Sequence, residues 1–137
     1  MQTTLVILKP DCVDRGLAGE VIRRFEAKGL KIAGMKMMKI TRQLAEKHYA
    51  EHVGKGFFED LVAFMTGSPV VVLAVRGPEA IGLVRTLMGK TKFTEAAPGT
   101  IRGDYAHDFT KNLVHGSDSE DSAQRELGIF FADGETF

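Results

Sequence analysis

Cysteine is nearly absent: Cys12 stands alone in 137 residues. One thiol cannot close an intramolecular disulfide or build a cysteine zinc site, and it suits a reducing compartment. Net charge is absent as well, with 18 basic and 18 acidic residues. A generic grip on nucleic acid or on an anionic membrane needs a basic excess or patch, so neither partner is expected. A small anionic ligand stays compatible, because a few cations can converge locally. No run approaches the ~20 apolar residues of a membrane span. Met1-Gln2-Thr3-Thr4 leads straight into a strand-like segment with no basic leader, so no signal peptide is expected and the protein reads as cytoplasmic. Repeats, linkers and low-complexity tracts are missing too. The expectation is one domain over residues 1–137 with an ordinary globular core.

Leu5 to Leu8 is a short apolar strand stopped by Pro10. Leu17, Val21, Ile22 and Phe25 have helical spacing, with Gly29 placed for a C-cap. Leu30 to Ile40 suits a strand with one wetter face, and Gly34 marks a candidate bulge. Thr41 can cap a helix running to about His52, and Phe57 to Met65 forms a second. Val70 to Val75 is continuously apolar and should be a central strand. Pro78 suits the first turn of a helix ending near Met88. Gly89 to Lys111 shows no period and reads as a long loop, which in a compact domain is usually functional or disordered. Asn112 to His115 is a short strand, and Ser117 to Glu120 has a capping-box pattern for a last helix reaching about Leu127. The order implies an α+β fold. It is a ferredoxin-like βαββαβ arrangement with a four-stranded antiparallel sheet, helices on one face, an extra αα pair and a long loop before the last strand.

Chemistry concentrates in Asn112-Leu113-Val114-His115-Gly116-Ser117-Asp118. A neutral imidazole at a strand end, followed by a helix start, meets free amides and positive dipole character. Histidine can act as a nucleophile without a separate base, and phosphoryl transfer then needs mostly positioning and charge neutralisation. Lys9, Arg85 and Arg102 would offset a polyphosphate if they converged, with Mg²⁺ supplying the remainder. Three other patterns fail. His48-Tyr49-Ala50-Glu51-His52 matches a zinc-peptidase helix, but such a site needs a third ligand and such chains are much larger. Lys55-Gly56-Phe57-Phe58 starts like an RNA-recognition strand, but Glu59 to Val62 breaks it with helical spacing. Gly89-Lys90-Thr91 looks like the tail of a Walker A loop, but Val84 stands where the first glycine belongs.

Together these pieces resemble the nucleoside diphosphate kinase family across nearly the whole chain. The blocks that carry the resemblance include Thr4 to Asp11, Arg15 to Glu20, Phe57-Phe58 and Ser68 to Val71. The most specific are Pro98-Gly99-Thr100-Ile101-Arg102-Gly103-Asp104 and Asn112 to Ser119. The resemblance implies that His115 is the phosphorylated nucleophile, that Glu126 holds the other side of its ring and that Ser117 supports Glu126. It implies a phosphate and ribose site lined by Lys9, Tyr49, His52, Arg85, Thr91, Arg102 and Asn112, with Phe57 stacking on the base and Phe109 facing it. The implied reaction is ping-pong transfer of a γ-phosphate from a nucleoside triphosphate to a nucleoside diphosphate. Mg²⁺ would be held by the nucleotide's phosphates, with no protein metal ligand, and the chain would form a homo-oligomer, tetramer or hexamer. Lys92-Phe93 and Lys55-Gly56 depart from the family's usual residues, and the first of these bears on the long loop and its subunit contacts. A nucleotide-binding scaffold without turnover is the competing reading, and a nucleic-acid module of the same fold class is disfavoured by the zero net charge.

Overall fold

The computed structural model describes residues 1–137. Strand β1 spans Gln2–Leu8, β2 Lys31–Met38, β3 Val70–Gly77 and β4 Val114–Gly116. Helices α1 to α7 span Pro10–Asp14, Ala18–Ala27, Arg42–His48, Phe58–Thr66, Ala80–Met88, Ile101–Tyr105 and Glu120–Phe130. The sheet order is β2-β3-β1-β4, every neighbour antiparallel, as the ferredoxin-like expectation requires.

The helices cover both faces of the sheet, not one. Val6 and Leu8 of β1 pack with Val71, Leu73 and Val75 of β3 against α1, α2 and α5. Leu5, Ile7, Val70 and Val72 point the opposite way, against Ala45 of α3, Phe58, Val62 and Met65 of α4, and Phe130 of α7. This double cover is why β1 and β3 read as unbroken apolar runs instead of alternating ones. Each fully buried Val or Leu contributes about 1.5–3 kcal/mol. The αα pair is therefore the second wall of the core, not a decoration on one side.

Local signals fix most boundaries. The Thr41 hydroxyl accepts from the Leu44 amide and caps α3. Gly29, at φ +94°, ends the segment after α2 in the left-handed region that glycine favours. The β2–β3 register shifts between Ile32 and Gly34, the expected bulge. Other boundaries move. Pro10 does not simply stop β1; it opens α1 from the first helical position. Helix α3 ends at His48, and a 3₁₀ turn at Ala50–His52 carries the chain on. Pro78 precedes α5, whose N-cap is Glu79 at φ +52°. The last strand starts at Val114, two residues later than expected. Helix α7 is capped by Ser119, which accepts from the Ser122 amide. Ser117 is thus not the cap.

The long loop is also more ordered than its lack of period suggests. It holds a 3₁₀ turn at Phe93–Glu95 and the five-residue α6, capped by Thr100 through the Gly103 amide. A methyl group on Gly103 would collide with the Ala97 carbonyl, so the turn into α6 admits only glycine there. No helix is long and apolar enough to cross a membrane.

Candidate active site

The site gathers where β1 and the edge strand β4 meet helices α3, α5, α6 and α7. Lys9 follows β1, so the buried end of that strand sets its backbone. Its ammonium donates to the Asn112 carbonyl oxygen at 2.7 Å. Its amide donates to the Leu113 carbonyl at 2.9 Å, and the Leu113 amide donates to Asp11 at 3.1 Å. Leu113 itself sits at φ +77°, a left-handed conformation that a branched side chain adopts only under constraint. That turn lets Asn112 face Lys9 while Val114 enters β4.

His115 lies in the middle of β4, paired with Ile7 of β1. Its Nε2 is 2.8 Å from Glu126 Oε1. Ser117, fully buried, donates to the same oxygen at 2.9 Å and pairs with the Leu5 backbone. Burial pushes the Glu126 carboxyl up, but the hydrogen bond and charge of His115, the His48 ring and the Ser117 hydroxyl outweigh it and hold it below the usual range. An ionised carboxylate only accepts, so the imidazole proton belongs on Nε2 and the lone pair on Nδ1. A carboxylate thus fixes the tautomer and orients the ring.

Cations gather on the other side. Arg102 is buried, and its guanidinium donates to the carbonyls of Asn112, Gly89 and Val114 at 3.3, 3.1 and 2.6 Å. Burial and the Arg85 charge push it down to about 10. Arg85 donates to the Gly116 carbonyl at 3.1 Å. Burial, then the Arg102 charge, push the Lys9 ammonium down to about 8, against the pull of Asp11. Three like charges held this close, with little water between them, are mutually unfavourable until an anion arrives.

These groups line one cleft of about 330 Å³, which brings together Lys9, Tyr49, His52, Arg85, Thr91, Arg102, Asn112, His115 and Glu126. Ser117 stands behind Glu126, out of the cleft. Phe57 and Phe109, 51% and 57% exposed, do not line it. The Phe57 ring touches His52 with centroids 5.2 Å apart, whereas Phe109 lies against Phe93 at 4.7 Å. His48, Asp118, Ser122 and Arg125 also line the cleft and were not singled out from the sequence as site residues. Ser122 and Arg125 were findable in principle, since they fall one helical turn apart on the face of α7 that carries Glu126. His48 belonged to the discarded peptidase pattern, yet its spatial partners are His115 and Glu126, not His52.

The cleft gathers no cage of hard oxygen ligands that would hold Mg²⁺ by itself. Mg²⁺ takes several hard oxygen ligands, and the one tight group of potential ligands holds two imidazoles and a carboxylate that His115 already uses.

The family model described as nucleoside diphosphate kinase matches residues 2–136. The chain belongs to the nucleoside diphosphate kinase family. It is 56% identical to a nucleoside diphosphate kinase of Thermomicrobium roseum over 98% of this chain and 91% of that one. A nucleoside diphosphate kinase family protein from Babesia bovis superposes with a TM-score of 0.97 at 42% identity, over 100% of this chain and 93% of that chain. A halophilic nucleoside diphosphate kinase from Halobacterium salinarum, solved in complex with CDP, superposes at 0.96 with 50% identity over 99% and 91%. The four-stranded antiparallel fold with its helices is therefore that of nucleoside diphosphate kinases.

Proposed function

We propose that this chain is a nucleoside diphosphate kinase in which His115 carries the phosphoryl group between two nucleotides. The observation that carries the reading is the His115–Glu126–Ser117 chain of hydrogen bonds, which leaves Nδ1 as the free nucleophilic nitrogen beside three cations. The Nδ1 lone pair attacks the γ-phosphorus of a nucleoside triphosphate, chiefly ATP. The bond from that phosphorus to the β-phosphate oxygen breaks, and the diphosphate leaves. Glu126 balances the charge that develops on the imidazole. A second nucleoside diphosphate then enters the same cleft and takes the phosphoryl group by the reverse step. Lys9, Arg85 and Arg102 neutralise the phosphate oxygens, which is the main work in this chemistry. Mg²⁺, carried in on the phosphates, would neutralise part of their charge, with Asp118 and Glu51 the cleft carboxylates free of His115.

Tyr49, His52, Thr91 and Asn112 complete the phosphate and ribose contacts. Phe57 adjoins the cleft through His52, and Phe109 through Asn112, which donates to its carbonyl at 3.2 Å. Both rings offer π-faces that accept any base. Assembly into a homo-oligomer, tetramer or hexamer, belongs to the same reading. Its support is β2, an edge strand that leaves Met35 and Met37 60% and 63% exposed. A cytoplasmic setting fits the single buried thiol of Cys12.

The test is exchange of phosphate between ATP and a panel of nucleoside diphosphates, with native mass measured alongside. The expected result is triphosphate product from every base and an acid-labile, base-stable label on the protein. Nucleotide binding without exchange would overturn the reading.

Lys9 gives the cleft a pH dependence. Its ammonium titrates near pH 8, so ADP affinity should fall as pH rises from 7 to 9.5, by about 10-fold or more. Calorimetric titrations should show a flat profile over that range for Lys9→Met; an equally steep one would reject the assignment. In stability terms the folded value lies below the ordinary 10.5, so the unfolded chain binds the extra proton between these values. Lys9 therefore opposes folding below pH 8, and that penalty fades as pH rises towards 10.5.

A further inference from the structure

His48 is a buried titratable group that phosphoryl transfer leaves unused. It ends α3 at 6% exposure, and neither ring nitrogen has a hydrogen-bond partner. Buried polar atoms are nearly always satisfied, so two orphaned nitrogens on one ring call for a ligand. The ring stands edge-on to His115, with centroids 4.7 Å apart and planes at 87°. One ligand atom each from His48, His115 and Glu126 lies within 4.8 Å of the others.

We propose that His48, His115 and Glu126 form a latent site for a divalent transition metal, Zn²⁺ above all, whose occupancy switches the nucleophile off. The inference rests on His115 being the nucleophile. Two imidazoles and one carboxylate are a zinc donor set with a fourth position left for water. Mg²⁺, which demands oxygen ligands, is not retained by the same three groups. Bonds of about 2.0–2.2 Å place tetrahedral ligand atoms roughly 3.4 Å apart. The His115–Glu126 spacing of 2.8 Å must therefore widen and His48 close in, by side-chain shifts of about an ångström.

The switch follows from the tautomer. The metal takes the Nε2 lone pair, and the proton that Nε2 carried moves to Nδ1. The ring stays neutral and no net proton is lost. Nδ1 becomes an N–H and has no electron pair to offer phosphorus. Glu126, bound to the metal, no longer accepts from the ring.

The test uses the purified full chain, Co²⁺ as a spectroscopic probe, and chain loaded with Zn²⁺ and then desalted. Co²⁺ should give the visible bands of a four-coordinate site at one equivalent per chain, and Zn²⁺ should displace it. Nitrogen-15 spectra of the Zn²⁺-loaded chain should report His115 protonated at Nδ1. Label uptake from γ-labelled ATP should fall in step with Zn²⁺ occupancy and return with EDTA. His48→Phe, which keeps a ring against Phe130 and Tyr49, should weaken Co²⁺ binding by about 10-fold or more, and Glu126→Gln likewise. Unchanged Co²⁺ affinity in both variants, or an unaltered His115 tautomer at full Zn²⁺ loading, overturns the inference. Normal label uptake with no Co²⁺ binding overturns the metal site alone. Co²⁺ binding through these residues in a chain that takes no label supports the metal site and sinks the kinase reading alone.

Discussion

His115→Ala is expected to lose phosphate exchange by on the order of 10⁴-fold or more, and to take no label from γ-labelled ATP. The size follows from the role: with the phosphoryl carrier removed, no intermediate links the two half-reactions. The fold should survive, because the His115 side chain is 25% exposed and its strand pairing is made by backbone. Glu126 loses its ring partner but keeps the Ser117 hydroxyl. Nucleotide binding should also persist, since Lys9, Arg85 and Arg102 are untouched. Calorimetry with ADP beside the label experiment separates the two effects. A variant that still exchanges phosphate at the parent rate would remove His115 from the mechanism.

Arg102→Ala should damage stability and turnover together. The buried guanidinium is costly: holding it down at about 10 corresponds to roughly 3 kcal/mol against the charged form. Removing it relieves that cost but leaves the carbonyls of Gly89 and Val114 without this donor, at about 1–3 kcal/mol each, and strips one of two donors from Asn112, whose carbonyl keeps the Val114 amide. The second effect outweighs the first, and a net loss of about 2–4 kcal/mol is expected, a fall in melting temperature of about 10 °C. Activity should fall by about 100–1000-fold, the usual consequence of deleting one preorganised charge at the transferring group. Arg102→Lys should recover part of the activity and little of the stability, because an ammonium cannot span three carbonyls. Melting within a degree of the parent for the alanine variant would show that these carbonyls find other donors.

Arg102 also shows where the sequence stops being readable. Gly29, Thr41 and the bulge at Gly34 announce themselves, because each solves a local problem of cap or register with a residue type suited to it. Helix α6 does not. It has five residues, too few for a period, and it stands because Thr100 caps it and Arg102 ties it to β4. Ser117 misleads for a related reason. Its spacing to Glu120 imitates a cap, but tertiary contact with Leu5 and Glu126 claims the hydroxyl, and Ser119 takes the helix. Cover on both sheet faces was latent in the unbroken apolar runs of β1 and β3, yet which helices supply it depends on the path of the chain. The site was legible through its motif blocks. His48 was not, because its meaning lies in an approach to His115 across 67 positions of sequence, from 48 to 115.

Lys9 meets Asn112 across 103 positions, and Ser117 meets Leu5 across 112. Strand β1 gains its second partner only once β4 has been made, so one of its edges stays open while everything between the two is synthesised. Until then a nascent molecule leaves unpaired amides beside the apolar stretch Leu5–Leu8, a state prone to sticking to its neighbours. The contact between His115 and Glu126 therefore forms only after both β4 and α7 have been made. A truncation that trims this last helix should yield aggregate before it yields a weak enzyme.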